Sequence, residues 1–192
     1  WRKKSGKAPL KETIAASMIL ANVWRRKTPL QDPFCGSGTI CIEAISYAAN
    51  LAPNLWRPMA IESMLIHQQS LDRNIQEELR AQANFENLVR IRGTDKDPEM
   101  IRIAGENLEE FCKVNKLLEH EAEWVKKSVG FAQGTMEDQH AWDKDGLLIM
   151  NPPYGERLLD PESASRIHAS LTGLRERYPD WALSVITTVP NL

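Results

Sequence analysis

The chain has 192 residues, 42% hydrophobic and 26% charged, with a formal net charge of −2. That length supports one domain or slightly more, with a sizeable core. The composition excludes a disordered or fibrous chain, and no apolar run approaches the roughly 20 residues that would span a bilayer. The slightly acidic balance argues against holding nucleic acid by bulk electrostatics alone. Cys35, Cys41 and Cys112 form no CxxC pair and leave an odd count, which argues against a disulfide framework or a zinc site and fits a reducing cytoplasm.

Positive charge clusters in "WRKKSGK" at the start and "WRRK" at Trp24–Lys27, readable equally well as solvated flanks of a helix or as phosphate contacts. Between them, Ile14, Met18 and Ala21 share one face, predicting a helix over 10–24. "PLQDPFCGSGT" is a short extended piece running into a glycine turn, and Ile40, Ala44 and Tyr47 predict a helix over 39–49. An irregular stretch with Pro53 and Pro58 leads to a polar helix over 71–87, with a thin seam of Leu71, Ile75 and Leu79. "LVRIRGTDKDP" follows as a strand ending in a turn. Asp97 is a good helix N-cap there, and Pro98 suits the first helical position. Ile101, Ala104, Leu108 and Phe111 continue at helical spacing, and a mixed pattern over 117–127 is also helical. "VGFAQG" is a weak strand and "GLLIM" a strong one. Ile167, Leu171, Leu174 and Tyr178 mark a helix stopped by Pro179, and "WALSVITTV" is the last strand. Strands alternating with helices imply right-handed crossovers and an α/β fold with a doubly wound, mostly parallel sheet.

In "DPFCGSGT", Gly36 and Gly38 allow a tight turn and close approach of a ligand to the backbone, and the helix behind them carries free N–H groups. Such a loop receives either a dinucleotide phosphate or the carboxylate of an amino-acid-like cofactor. The GxGxxG fingerprint is incomplete because Cys41 stands at the third glycine's position. Asp32 would repel a pyrophosphate but could accept hydrogen bonds from an ammonium group. S-adenosylmethionine, with an ammonium and a carboxylate at its methionine end, therefore fits better. A second acid should hold the ribose hydroxyls at the end of the next strand. Asp95 has strand, turn and capped helix around it and is preferred to Glu62, which makes residues 50–90 a helical insertion.

"LLIMNPPYGERL" ends an apolar strand with an amide, two prolines and a tyrosine. An exocyclic amine on a base is a poor nucleophile, because its lone pair is delocalised into the ring. The Asn151 side-chain carbonyl and the Pro152 backbone carbonyl can each accept one N–H of such an amine and aim its lone pair at a methyl donor. Fixed φ angles at Pro152 and Pro153 stiffen the arrangement. Tyr154 offers a face for stacking a base turned out of its helix or loop.

Together "KAPLKETIAAS", "DPFCGSGTICIEA", "APNLWR", "RGTDKDP" and "NPPYGERL" occur in the order found in a family of RNA methylases, and the chain resembles that family from Lys7 to Leu159. The family includes the bacterial large-subunit ribosomal RNA guanine-N2 methyltransferases that carry an N-terminal THUMP domain. The resemblance implies a Rossmann-like class I methyltransferase fold lacking its last strands, with residues 1–30 as a helical lead-in and 31–192 as the catalytic domain. It implies cofactor contacts at Asp32, Phe34, Gly36, Gly38, Thr39, Asp95 and Lys96, and an amine-binding motif from Asn151 to Tyr154. Phe34 replaces the usual methionine. Thr135 stands where relatives place an acid that reads the adenine amine, leaving Asp138 as the substitute.

The expected activity is methyl transfer from S-adenosylmethionine to guanine N2 in large-subunit ribosomal RNA, giving S-adenosylhomocysteine (SAH), with no metal. The alternative is an adenine-N6 methyltransferase acting on DNA or RNA, since NPPY is shared with such enzymes. The start at Trp1 and the end just after a strand suggest a piece of a longer protein, with RNA capture depending on a THUMP domain outside it.

Overall fold

The computed structural model describes residues 1–2, 9–22, 24–57, 69–152 and 171–186. Among them the elements run α1 (Glu12–Ala21), β1 (Leu30–Asp32), α2 (Thr39–Ala48), α3 (Gln69–Ala81), β2 (Ile91–Asp95), α4 (Pro98–Val114), α5 (Glu119–Ser128), β3 (Val129–Gln133), β4 (Gly146–Met150), α6 (Leu174–Arg177) and β5 (Trp181–Val185). The strands form one parallel sheet in the order β3-β2-β1-β4-β5.

That order follows from the sequence pattern. β1 and β4 are both buried and take the centre; β4 reads as an apolar run, whereas β1 buries the polar Gln31 and Asp32 after Leu30. On β4, Leu147 and Ile149 join one core layer with Leu30, Ile91 and the apolar faces of α1, α2 and α4. Leu148 and Met150 join the opposite layer with Met136, Leu174, Tyr178 and Trp181. The weakly patterned "VGFAQ" becomes the edge strand, where only one neighbour is needed, and pairs with β2 over five residues from Ile91–Val129 to Asp95–Gln133.

Local chemistry sets the helix ends. Asp97 accepts a hydrogen bond from Glu99 N at 2.9 Å and Pro98 starts α4, as the capping pattern predicts. α1 is shorter than its periodicity suggests. Lys11 is still extended, and Asn22 ends the helix by donating from Nδ2 to Met18 O at 2.7 Å and to Ser184 Oγ at 2.8 Å. Trp24 leaves the helix to bury its ring, donating from Nε1 to Thr28 O at 3.0 Å. α3 ends at Ala81 rather than 87, because the chain turns to bury Phe85. In its seam Leu79 packs on the core, whereas Ile75 is exposed.

One polar group crosses the sheet's centre. Gln31 is fully buried, with its Oε1 accepting from Trp142 Nε1 at 2.8 Å and Tyr178 Oη at 3.2 Å, and its Nε2 donating to Gln139 Oε1 at 3.2 Å. A buried amide satisfied this way avoids the desolvation cost of an orphaned one. No helix among the described residues is long and apolar enough to cross a membrane.

Candidate active site

The glycine turn is built by hydrogen bonds from both sides. At the end of β1 the Asp32 carboxyl accepts from Phe34 N at 3.0 Å, closing a tight turn. Cys35 N then donates to Thr94 O at 2.9 Å, fastening the loop to β2. Gly36 N donates to Asp95 Oδ2 at 3.0 Å, while Asp97 N donates to Asp95 Oδ1 at 2.9 Å. One carboxylate thus holds the glycine turn and the start of α4 together. Gly36 and Gly38 have φ of +50° and +84°, values that a side chain would strain. Gly93 is needed for a different reason: a Cβ there would lie 2.7 Å from the Phe131 ring and 2.9 Å from Cys35 Cβ.

Two supports were not anticipated from the sequence. Asn107 on α4 is fully buried and donates from Nδ2 to Ser37 O at 3.0 Å. Its signal was legible: an amide on the apolar stripe, three residues after Ala104 and four before Phe111. Arg2 donates from Nη2 to the Thr39 hydroxyl at 3.0 Å. The basic run that reads as a solvated flank therefore places one guanidinium against the first residue of α2.

The electrostatics of the turn are unusual. Asp32 is 1% exposed, and its pKa is pushed up to about 8. Burial is the main cause; the Asp95 charge adds to it, and the Phe34 N–H opposes it. In the chain without ligand this carboxyl is largely protonated at neutral pH, so it stands ready to ionise against an incoming cation. Burial also drives the Cys35 and Cys41 thiols well above their ordinary range. They are poor nucleophiles as a result.

Asn151 is half-buried and follows β4 directly. The last β1–β4 pair is Gln31–Leu148, so Asp32 lies one residue beyond it and Asn151 three residues beyond it. β1 hands on to β2 on one side, and β3 returns to β4 on the other. The boundary between β1 and β4 is thus where strand order reverses, the crevice in which open α/β sheets bind ligands. Phe34, two residues past β1, is partly buried against the core cluster that contains Met136 and Met150. Pro152 is buried, while Pro153, Tyr154 and Glu62 lie outside the described residues.

The remaining expected positions differ in burial. Thr39 is buried at the start of α2. Lys96 is exposed, and its carbonyl accepts from Gln133 Nε2 at 3.1 Å. Asp138 is exposed and accepts from the Thr135 hydroxyl at 2.7 Å, so the two candidates for the adenine-reading position are joined in one hydrogen bond.

Known proteins resemble this chain in sequence and in fold. The ribosomal RNA large subunit methyltransferase K/L of Pseudomonas fluorescens is 36% identical over 201 residues, taking in all of this chain and 26% of that protein. SMU.472, solved in complex with SAH, superposes with a TM-score of 0.81 at 30% identity, covering 99% of this chain and 47% of its own. A Listeria monocytogenes structure described as a predicted N6-adenine-specific DNA methylase gives 0.81 at 31% identity, covering 98% of this chain and 47% of its own. The chain thus spans about a quarter of the curated relative and about half of the two solved ones. The RMKL-like methyltransferase domain matches residues 1–192 from end to end, and the chain belongs to that family.

Proposed function

We propose that this chain is the catalytic unit of an S-adenosylmethionine-dependent N-methyltransferase acting on the N2 amine of a guanine in large-subunit ribosomal RNA. The observation that carries the reading is the meeting of two loops at one strand-order reversal. The Asp32–Thr39 turn, clamped by Asp95, leaves β1, and Asn151 leaves the adjacent strand about 4.8 Å away. In support, the chain's relative is named for ribosomal RNA methylation, and a structural neighbour was solved with SAH.

The residues present fit the cofactor. Asp32, buried and poised to ionise, suits an ammonium group. The backbone N–H groups at the start of α2 suit a carboxylate. Asp95, fixed through both oxygens, keeps lone pairs for the ribose hydroxyls. Lys96 and Asp138 border the adenine side, and Phe34 closes the crevice beneath. When bound, the cofactor supplies an electrophilic methyl on sulfur.

In this reading Asn151 and Pro152 accept the two protons of the target amine through their carbonyls, localising its lone pair. Pro153 and Tyr154 continue the motif as stiffener and stacking face. The transfer is direct, and the proton leaves to water. The buried thiols take no part.

Residues 31–192 form the catalytic unit, with 1–30 leading in and 50–90 inserted. An N-terminal THUMP domain of the longer protein shares RNA capture, and the work takes place in the cytoplasm. The test is tritium transfer from labelled cofactor to ribosomal RNA and to genomic DNA, followed by nucleoside mass analysis. N2-methylguanosine is expected. N6-methyladenosine would instead support the activity in the Listeria protein's description. Failure to bind SAH in calorimetry would leave a non-catalytic RNA-binding module.

A further inference from the structure

After β3 an irregular run, Gly134 to Asp145, carries the chain from the edge of the sheet past β2 and β1 to β4. Parallel crossovers usually do this with a helix, whose backbone bonds are internal. A crossover without a helix must be ordered from outside, because fixing each residue costs conformational entropy. The bonds that order this one converge on a short piece, 134–139.

The front of that piece is tied to the end of β2. Gly134 N donates to Asp95 O at 3.0 Å, and Gln133 Nε2 donates to Lys96 O at 3.1 Å. The back is tied to the core. Gln31, fully buried on β1 directly before Asp32, donates from Nε2 to Gln139 Oε1 at 3.2 Å. Trp142 and Tyr178 both donate to Gln31 Oε1, which fixes the direction of its amide. Arg177, the last residue of α6, donates from Nη1 to Met136 O and, at 3.3 Å, to Gln139 O. Its own carbonyl accepts from Ala141 N at 3.0 Å.

Front and back also meet. A Cβ on Gly134 would lie 2.8 Å from Gln139 Nε2, so the Gln139 amide fills the base of the loop. Met136 is buried, while Thr135, Glu137 and Asp138 stay exposed, with Thr135 bonded to Asp138. A buried amide network adds little stability over apolar residues of the same shape. What it adds is direction, since a satisfied network admits one arrangement.

We infer that Gln31 and Arg177 are positioning residues for recognition of the cofactor's adenine, holding the 134–139 loop from behind so that Asp138 meets the base's amine. The inference rests on the proposed function and deepens it. Neither residue touches the cofactor; each acts through the loop. Successive strand residues point to opposite faces. β1 therefore serves both ends of one ligand, with Asp32 at the ammonium and Gln31 behind the adenine loop.

The test compares SAH with S-inosylhomocysteine, in which a carbonyl replaces the adenine amine and everything else is kept. Calorimetry on the wild-type chain should show SAH preferred by about 10- to 100-fold, the weight of a hydrogen bond to a charged acceptor. Asp138→Ala should abolish that preference. Arg177→Met and Gln31→Leu should each reduce it to less than about threefold, while affinity for the inosyl ligand moves less than about twofold. Gln31→Glu should recover part of it, because a protonated carboxyl still accepts from Trp142 and Tyr178 and donates to Gln139.

A merely structural role would lower Tm and leave the ratio of the two affinities unchanged, or weaken both ligands equally. Either result overturns the inference, as does a wild-type chain that binds both ligands alike. If Gln31→Leu does not fold, Arg177→Met, at a half-buried position outside the core, decides the matter by the same ratio. A wild-type chain that binds neither ligand would instead refute the proposed function itself.

Discussion

Replacing Asp95 by Asn separates the two jobs assigned to this carboxylate. In the structure Oδ2 accepts from Gly36 N at 3.0 Å and Oδ1 from Asp97 N at 2.9 Å. Asn keeps one acceptor oxygen, so one bond is lost and the other falls from a charged to a neutral acceptor. A hydrogen bond to a charged group contributes about 1.5–3 kcal/mol and a neutral one about 0.5–1.5 kcal/mol. Because Asp95 is half-exposed, the lower ends apply: about 1.5 kcal/mol for the lost bond and about 1 kcal/mol for the weakened one, so the turn should lose about 2.5 kcal/mol. For a chain of this size that lowers Tm by roughly 5–10 °C, readable in a thermal melt. If the same oxygens also hold the ribose, SAH affinity measured by calorimetry should drop by about 10- to 100-fold. A Tm that falls as expected with SAH affinity unchanged would refute the ribose role. Asp95 would then be only a clamp, and Glu62 would become the acid to test.

Asn151→Ala should cut turnover by at least about 100-fold, since orientation of the amine is lost, while SAH affinity stays within about twofold. A mutant that still transfers tritium at the wild-type rate would remove the amide from the mechanism. Asp32 predicts a pH signature. Its folded pKa of about 8 lies above the ordinary 3.8, so its contribution to stability is complete below about pH 4 and is lost as pH rises toward 8. A bound ammonium favours the ionised form, so cofactor affinity should rise with pH up to about 8, with proton release visible as a buffer-dependent binding enthalpy at pH 7. Asp32→Asn should flatten that profile, and an unchanged slope would contradict the assignment. Gly93→Ala pushes a Cβ into Phe131 and Cys35 and should destabilise by about 1–3 kcal/mol. Phe131→Leu in the same chain should restore part of the loss, and a melt unmoved by the single substitution would show that the ring has room to give.

Elements governed by neighbours in sequence were readable from sequence. The Asp97–Pro98 start of α4 depends on a carboxyl reaching an N–H two residues on. The glycine turn depends on φ values that only glycine adopts freely, and β4 on an apolar run long enough to be buried on both faces. Where those local signals were overridden, a tertiary contact was responsible. Asn22 ends α1 by bonding Ser184, 162 residues away, and Phe85 draws the chain off α3 into the core.

Sequence by itself therefore determined which segments fold and which side chains are the candidates for the chemistry: an acid before the glycines, an acid ending the next strand, an amide ending a later one. It could not determine their meeting. Asp95 reaches Gly36 across 59 residues, β4 lies beside β1 rather than beside β3, and Arg2 closes on Thr39 from 37 residues away. Such pairings follow from the packing of two layers on one twisted sheet, in which each strand's place depends on all the others. Only the folded chain brings the Asp32–Thr39 turn and Asn151 to the same crevice.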